Sequence, residues 1–272
     1  MGKFDGILIC TDLDGTLYKN DKTISEKNKE AIEYFKSEGG SFTFVTGRLP
    51  YYSTDAFHAV QPNVPYGCIN GGGVYDGQNQ KYIWTQETSR DVLELVRHID
   101  ENFLDVGIQI CCFEKTYFAK ENSTTERFRR ITGVPNYVCD YRNFEEPIAK
   151  IIFCSDEEGK ILGIKNALEQ HEISDMFDYI RSEHTLFEVL PKGINKGIAI
   201  KKLAEYLNID ISRTIAIGDY DNDVAMLRAA GCGIAVANAS RAALEASDAV
   251  TVSNEEDAIA KVISDLENGK YI

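Results

Sequence analysis

The segment that decides the fold is Gly6-Ile7-Leu8-Ile9-Cys10-Thr11-Asp12-Leu13-Asp14-Gly15-Thr16-Leu17. Its first half is a short, continuous apolar run, which is the pattern of a strand buried on both faces. Two carboxylates, Asp12 and Asp14, follow at once, and open α/β sheets place their ligands at the carboxyl ends of parallel strands. A simple Asp-rich turn would explain a lone Asp-x-Asp, but not the whole string. The segment therefore predicts a strand that delivers acidic side chains to a functional site.

The next part of the chain alternates helix and strand patterns. Ser25 is expected to cap a helix that runs to Ser37 and ends at Gly39-Gly40. Strands are predicted at Ser41–Thr46 and Tyr66–Asn70. Strand, helix and strand at this spacing indicate βαβ units and a parallel sheet.

The middle of the chain has a different order of elements. Helix and strand patterns between Ser89 and Leu190 follow one another as αββαβαββ, which is typical of an antiparallel or mixed sheet covered by helices. After it the first pattern returns, with a helix at Lys196–Leu207 and a strand at Thr214–Gly218. We predict a discontinuous α/β domain, residues 1–82 plus 188–272, with a Rossmann-like doubly wound parallel sheet, and an inserted α+β cap domain at residues 83–187.

Composition narrows the range of partners. The formal net charge is −14, from 29 basic and 43 acidic residues, and a surface of that sign repels DNA, RNA and anionic lipid. Charged residues interrupt every hydrophobic stretch, so that no run reaches membrane-spanning length. The start of the chain lacks the cleavage site of a signal peptide. We expect a cytoplasmic protein that binds neither nucleic acid nor membrane.

The cysteines and histidines do not form a zinc or disulfide pattern. The chain has seven cysteines and four histidines, with no Cys-x-x-Cys pair and no histidines at ligand spacing. Most of the cysteines lie inside apolar runs. We expect buried, reduced thiols.

A second acidic group, Gly218-Asp219-Tyr220-Asp221-Asn222-Asp223, ends another predicted strand. Capping of the following helix explains one of these residues, but not the whole group. If the two strands are neighbours, Asp219 and Asp223 converge on Asp12 and Asp14. Two carboxylates ~4 Å apart repel each other by about 4 kcal/mol at an effective dielectric constant of ~20, so the cluster needs a cation. An all-oxygen ligand set favours Mg²⁺ over zinc or copper.

Two further segments offer groups that could hold an anion. Thr46-Gly47-Arg48 ends a strand, where backbone N–H groups can bind a phosphate, although a strand-end threonine is commonly only a cap. Lys196 lies at the start of a predicted helix, where the helix dipole disfavours a cation. A solvated surface lysine is the alternative explanation; an anion shared by Lys196 and the helix terminus would offset the unfavourable placement.

These segments together resemble the four motifs of the haloacid dehalogenase (HAD) superfamily of phosphatases. They occur in the family's order and strand context: DxDGT at Asp12–Thr16, the strand-terminal Thr46, Lys196 in a GxxKG segment, and GDxxND at Gly218–Asp223. The middle insertion is similar to the C2B-type cap of the Cof-type, subclass IIB members. The loops Gly233–Ala239 and Asn70–Gly73 also resemble family elements, the second with more glycines than usual.

The resemblance and the chemistry of the residues imply the same catalytic roles. Asp12 would attack phosphorus and form an aspartyl-phosphate. Asp14 would protonate the leaving oxygen and later deprotonate the attacking water. The Asp12 carboxylate, the Asp14 backbone carbonyl and Asp219 would hold Mg²⁺. Asp223 would also serve the metal site, by orienting either a metal-bound water or Lys196.

The phosphoryl group itself would be bound by Thr46, the Gly47 amide, Lys196 and Asn222. Phosphoryl transfer needs mainly positioning and charge stabilisation, so this set is sufficient. Arg48 and Glu188 are further candidates for contacts to the substrate. A cap would exclude water and select the leaving group.

Three functions are compatible with these motifs and with the family resemblance. The first is a Mg²⁺-dependent phosphatase of small phosphorylated metabolites, such as sugar phosphates or phosphorylated cofactors. The second is a sugar phosphomutase of the same superfamily, which would return the phosphoryl group to the sugar. The third is a non-catalytic binding or regulatory protein on the same scaffold, although Asp12, Asp14, Lys196 and Asp219 are all present. A receiver domain would have no place for the middle insertion.

Overall fold

The computed structural model describes residues 2–272, which form two compact units. The first contains the described residues up to Arg48 together with Ser53–Thr85 and Asn195–Ile272, and the second contains Leu49–Tyr52 and Gln86–Ile194. The helices are α1 (Glu26–Ser37), α2 (Thr54–Val60), α3 (Val92–Asn102), α4 (Ser123–Thr132), α5 (Glu158–Glu169), α6 (Lys196–Leu207), α7 (Val224–Ala229), α8 (Arg241–Ala246) and α9 (Ala258–Glu267).

The strands form three sheets. They are β1 (Leu8–Thr11), β2 (Ser41–Phe44), β3 (Tyr66–Cys68), β4 (Gly73–Asp76), β5 (Lys81–Thr85), β6 (Gly107–Cys112), β7 (Thr116–Lys120), β8 (Tyr137–Val138), β9 (Ile148–Cys154), β10 (Phe177–Glu183), β11 (Leu186–Pro191), β12 (Thr214–Gly218), β13 (Cys232–Ala235) and β14 (Ala249–Val250). Short 3₁₀ turns connect several of these elements.

The main sheet of the first unit is parallel throughout, with strand order β14-β13-β12-β1-β2. The chain leaves β1 toward β2 on one side and later returns to β12 on the other, so the strand order reverses between β1 and β12. Such a switch point opens a crevice at the carboxyl ends of the strands, where α/β proteins bind ligands. Thr11 of β1 lies opposite Ile217 of β12, which brings the residues that follow both strands to this crevice.

Apolar side chains on both faces of β1 keep this sheet buried, as its sequence predicted. Leu8 and Cys10 pack in one cluster with Ala199, Ile200 and Leu203 of α6. Ile9 points to the opposite face, since side chains alternate along a strand, and it is also fully buried. The continuous apolar run is therefore explained by a sheet covered on both sides.

Helix α1 begins as predicted after Ser25, whose hydroxyl accepts a hydrogen bond from the N–H of Asn28 at 3.2 Å. The buried side chain of Asn28 then accepts a hydrogen bond from the N–H of Ala260 at the start of α9. Helix α9 was not among the predicted elements. This bond ties the two helices together at their N-terminal turns.

The predicted strand at Tyr66–Asn70 does not belong to the main parallel sheet, which corrects the expectation for this segment. It ends at Cys68 and pairs antiparallel with β4, in a separate sheet of order β3-β4-β5. A single parallel bridge from Val45 to Gly67 links it to the end of β2. The strand stops because Ile69 and Asn70 have positive φ angles, which extended backbone does not allow.

The second unit has a mixed sheet of order β10-β11-β9-β6-β7-β8, in which only the β7–β8 pair is parallel. Helix α3 places Val92, Val96 and Ile99 on one stripe, and these pack with Ile108 and Ile110 of β6. The order of helices and strands in this unit agrees with the predicted α+β pattern except for β8, a two-residue strand between α4 and β9 that was not predicted.

The compact units depart from the predicted domain boundaries at both junctions. A boundary between residues 82 and 83 would cut β5, and one between 187 and 188 would cut β11. Strand β11 pairs with both β9 and β10, so it stays with the second unit through Ile194. The short segment Leu49–Tyr52 also clusters with that unit, for which the sequence carried no signal.

Among the described residues, none of the helices has both the length and the apolar character needed to cross a membrane.

Candidate active site

Adjacent strands of the parallel sheet bring two acidic residues together, although 207 positions separate Asp12 from Asp219 in the sequence. Asp12 follows β1 and Asp219 follows β12, and the N–H of Asp12 donates to the carbonyl of Ile217 at 2.8 Å. Carboxylate oxygens of Asp12, Asp219 and Asp223 all lie within 4.8 Å of one another. The predicted convergence of acidic side chains is therefore present in the first unit.

Lys196 connects two of these carboxylates. Its Nζ lies 2.6 Å from Asp12 Oδ1 and 2.5 Å from Asp223 Oδ1, and the lysine side chain is 1% exposed. It is the first residue of α6, after Asn195, whose side chain accepts a hydrogen bond from the N–H of Gly197. The alternative of a solvated surface lysine is thus wrong. Two carboxylates offset the unfavourable position of this cation at a helix N-terminus.

Asp223 uses both of its carboxylate oxygens within the chain. Oδ1 accepts from Lys196, while Oδ2 accepts from the N–H groups of Asp219 and Tyr220 at 2.9 and 3.0 Å. The side chain is completely buried. Asp223 therefore holds the lysine and the loop after β12 in one arrangement.

The DxDGT segment supports Asp219 from the opposite side. Thr16 Oγ1 donates a hydrogen bond of 2.7 Å to Asp219 Oδ1. Gly15 has φ +83°, and a Cβ at this position would lie 2.4 Å from Asp219 Oδ2. Only glycine satisfies both conditions, which explains the glycine of the motif.

The electrostatics of the acidic cluster are unfavourable in the absence of a further cation. Burial, the Asp223 carboxylate and Asp219 raise the pKa of Asp12 well above its ordinary value, although Lys196 opposes them. Burial and Asp223 likewise raise the pKa of Asp219 to about 6. Burial alone would lower the pKa of Lys196, but Asp12 and Asp223 raise it. The lysine is thus firmly charged, and the carboxylates carry an excess of negative charge.

These residues fit a divalent cation. Three carboxylates and one ammonium group leave two negative charges uncompensated, which a divalent cation matches. The donor set is entirely oxygen, which hard cations prefer. Because both oxygens of Asp223 are already bonded, Asp12 and Asp219 are the side chains best able to contact an ion. The described residues thus provide a group that could hold a metal.

The carboxylate of Asp14 is held by two cations. Its Oδ2 accepts from Arg48 at 2.6 Å and its Oδ1 accepts from Lys22 Nζ at 2.8 Å. Burial alone would raise the pKa of Asp14, but these neighbours hold it below the ordinary value. Sequence reasoning missed Lys22. Lys22 reaches Asp14 because the turn from Lys19 to Thr23 folds the chain back. No local sequence motif predicts that contact.

The residues predicted to bind phosphate lie in neighbouring loops of the first unit. Thr46 is buried, and its Oγ1 accepts from the N–H of Arg48 at 3.2 Å. Asn222 Nδ2 donates to Asn70 Oδ1 at 3.3 Å, and the same Asn70 amide lies against Gly47. Sequence reasoning named the Asn70 loop but assigned it no role. Glu188, a predicted candidate, is instead buried in the second unit and paired with Lys150.

The comparison with protein families agrees with this geometry. Residues 9–263 match the family model of the haloacid dehalogenase-like hydrolases. The chain belongs to this family. The HAD hydrolase also resembles the 5-amino-6-(5-phospho-D-ribitylamino)uracil phosphatase YitU of Bacillus subtilis (strain 168), with 29% identity over 95% of this chain and 96% of the relative.

Solved structures support the predicted fold class. A haloacid dehalogenase-like hydrolase from Bacteroides thetaiotaomicron is 24% identical, with a TM-score of 0.82, and the match covers 97% of this chain and 100% of that one. The HAD subclass IIB sugar phosphatase BT4131 also superposes with a TM-score of 0.82, at 20% identity, covering 96% of this chain and 98% of the other. The prediction of a Rossmann-like parallel sheet with a C2B-type cap is confirmed.

Proposed function

We propose that this HAD hydrolase removes phosphate from small phosphate monoesters, with Asp12 as nucleophile and Mg²⁺ as cofactor. The observation that carries the proposal is the position of Asp12. It lies at the carboxyl end of a central parallel strand, bonded to the buried ammonium group of Lys196 and close to Asp219. A carboxylate nucleophile, a fixed cation and a neighbouring acidic residue are the parts that phosphoryl transfer through an acyl-phosphate requires.

The reaction has two steps in which bonds and protons balance. In the first, a carboxylate oxygen of Asp12 bonds to phosphorus, the bond to the leaving oxygen breaks, and Asp14 gives that oxygen the proton that it took from water in the preceding turnover. In the second, Asp14 takes a proton from water, whose oxygen attacks phosphorus and releases inorganic phosphate and the free Asp12 carboxylate. Arg48 and Lys22 lower the pKa of Asp14, which favours the carboxylate form that the second step requires and disfavours the protonated form that the first step requires.

The Asp12 carboxylate, the Asp14 backbone carbonyl and the Asp219 carboxylate would hold Mg²⁺. The ion would supply charge neutralisation at the phosphoryl oxygens. Asp223 acts through Lys196 and the loop after β12, in line with its two occupied oxygens. Thr46, the Gly47 amide, Lys196 and Asn222 bind the transferring phosphoryl group.

The substrates we propose are sugar phosphates or phosphorylated cofactors. Two relatives from Bacillus subtilis, YitU and YwtE, are 5-amino-6-(5-phospho-D-ribitylamino)uracil phosphatases, and BT4131 is a sugar phosphatase. The net charge of −14 disfavours polyanionic macromolecules as substrates. The seven cysteines are unbonded, and all but Cys139 are buried, which supports a reducing compartment such as the cytoplasm.

The experiment that tests the proposal measures inorganic phosphate released from p-nitrophenyl phosphate and from a panel of sugar and cofactor monophosphates. We expect turnover by the wild type with Mg²⁺, and none by Asp12→Asn. Asp175→Asn, an exposed aspartate of the second unit, is the control for the same chemical change. Turnover by Asp12→Asn at the wild-type rate, or full activity of the wild type in EDTA, would disprove the mechanism. Transfer of phosphate to a second sugar position without release to water would indicate a mutase instead.

A further inference from the structure

The loop after β3 has an unusual backbone. Ile69, Asn70 and Gly71 have successive φ angles of +56°, +50° and +96°, all in the left-handed region. Glycine adopts such angles freely and asparagine tolerates them, but a β-branched residue does so only with backbone strain. The surrounding structure must therefore hold this loop in place, and its contacts show what it is held against.

Two backbone hydrogen bonds fasten the loop to the segment after β2. The N–H of Ile69 donates to the carbonyl of Arg48 at 3.0 Å, and the N–H of Asn70 donates to the carbonyl of Thr46 at 3.1 Å. The Asn70 side chain lies over the residue between them, because a Cβ built on Gly47 would meet Asn70 Oδ1 at 2.9 Å and Nδ2 at 3.0 Å. The left-handed loop thus fits tightly onto the segment that we propose to bind phosphate.

The same loop contacts the segments that carry Lys196 and Asn222. Gly71 lies flat against the backbone before α6, since a Cβ there would be 1.9 Å from the carbonyl oxygen of Asn195. Asn222 Nδ2 donates to Asn70 Oδ1 across 152 residues of sequence, and Asn70 is completely buried. A single loop therefore touches three of the segments proposed to bind the phosphoryl group.

We propose that Asn70 is a positioning residue, whose side-chain amide orients Asn222 and packs against Gly47 so that both present N–H groups to the phosphoryl oxygens. The inference rests on the proposed function. The carbonyl oxygen of Asn70 fixes which end of the Asn222 amide faces it, because only Nδ2 donates. Without that partner the Asn222 amide is free to turn and present its oxygen, which repels a phosphoryl group. Glycine would adopt the positive φ of residue 70 equally well, so the backbone conformation does not by itself require the asparagine amide.

The test separates the amide of Asn70 from its backbone conformation. Asn70→Gly keeps the positive φ and removes the amide, and Asn208→Gly makes the same change at φ +52°, at the C-terminal end of α6, as a matched control. For Asn70→Gly we expect the KM for p-nitrophenyl phosphate and the Kd for inorganic phosphate, measured by calorimetry, to rise about tenfold, the loss of roughly one hydrogen bond. Asn208→Gly should leave both constants unchanged.

A double-mutant cycle distinguishes positioning from direct binding. If Asn70 acts through Asn222, then the loss of phosphate affinity in the variant that combines Asn70→Gly with Asn222→Ala is smaller than the sum of the two single losses. Additive losses, or an unchanged Kd in Asn70→Gly, would overturn the inference. Failure of the wild type to hydrolyse any phosphate monoester would instead refute the proposed function, which the cycle does not test.

A second variant keeps the inference testable if Asn70→Gly does not fold. Gly47→Ala retains the Gly47 N–H but places a methyl group against the Asn70 amide. We expect it to weaken phosphate binding about as much as Asn70→Gly does, while its thermal midpoint stays within a few degrees of the wild type. Unchanged phosphate affinity in folded Gly47→Ala would contradict the proposed role.

Discussion

Lys196 Nζ lies 2.6 Å from Asp12 Oδ1, although 184 residues separate them in the chain. The contact exists because α6 begins beside the carboxyl end of β1, and both side chains are buried there. An ammonium group in this position stabilises the Asp12 carboxylate, and we propose that its remaining N–H binds a phosphoryl oxygen. This pair is the chemical centre of the proposed site.

Lys196→Met keeps the length of the side chain and removes its charge. It leaves Asp12 and Asp223 buried without their cation, so we expect a loss of stability of about 3–5 kcal/mol and a decrease in kcat/KM of at least a hundredfold. Urea unfolding and steady-state kinetics measure the two effects. Lys201→Met, at an exposed position of the same helix, should change neither.

Mg²⁺ should stabilise the folded protein through Asp12 and Asp219. Ligand binding to the native state stabilises it by RT ln(1 + [L]/Kd), about 2.7 kcal/mol at a hundredfold excess over Kd. We therefore expect the thermal midpoint of the wild type to rise with Mg²⁺, and that of Asp219→Asn to rise much less. Asp210→Asn, in an exposed turn of the same unit, is the control. If Mg²⁺ raised the thermal midpoint of the wild type and of Asp219→Asn equally, the ion would not be bound by Asp219.

Lys22→Ala should affect activity and not stability. Its side chain is 67% exposed, so the ion pair with Asp14 contributes at most about 1 kcal/mol to folding. Asp14 would nevertheless lose one of its two partners, and we expect kcat to fall about three- to tenfold with an unchanged thermal midpoint. Lys27→Ala, another exposed lysine of the first unit, should behave like the wild type in both assays.

The contribution of Asp100 to stability should depend on pH. Burial alone would raise its pKa, but hydrogen bonds from Lys120 and Tyr141 lower the pKa of this carboxyl below its ordinary value. A lowered folded-state pKa gives stability that is present above the unfolded pKa, ~3.9, and is lost as pH falls through the folded pKa. We expect Asp100→Asn to destabilise the protein by about 1 kcal/mol at pH 7.

Urea unfolding at several pH values checks this dependence. The difference in the free energy of unfolding between the wild type and Asp100→Asn should become smaller as the pH falls below the usual pKa of a carboxyl group. Glu101→Gln, next to it and exposed, should show no such trend. If this difference in unfolding free energy instead became larger as the pH falls, Asp100 would not be ionised in the folded state.

Lys150 and Glu188 form a buried ion pair in the second unit, with Nζ and Oε2 2.7 Å apart and both side chains less than 5% exposed. Removing one charge of such a pair costs more than removing both, because the remaining charge stays buried. We expect Lys150→Met and Glu188→Gln each to lose about 3–5 kcal/mol of stability, and the double variant to lose less than their sum. Additive losses in urea unfolding would show that the two side chains act independently.

Much of the fold followed from local patterns. The boundaries of β12 and α6 agree with the sequence prediction, since apolar runs and helical periodicity are set within each segment. The pairing of β3 was mispredicted because a short apolar run predicts a strand but does not decide which strand it pairs with. The contact from Lys22 to Asp14 was missed because it depends on how a polar turn folds back.

The sequence by itself determined the chemistry of this protein: which strands are buried, and which acidic and basic residues follow them. These properties are local, since side-chain polarity and backbone preference act over a few residues. Only the tertiary structure decided that Lys196 is shared by Asp12 and Asp223, and that Asn70 contacts both Gly47 and Asn222. Such contacts join distant segments, and their geometry depends on the order of strands in the sheet and on which loops pack together.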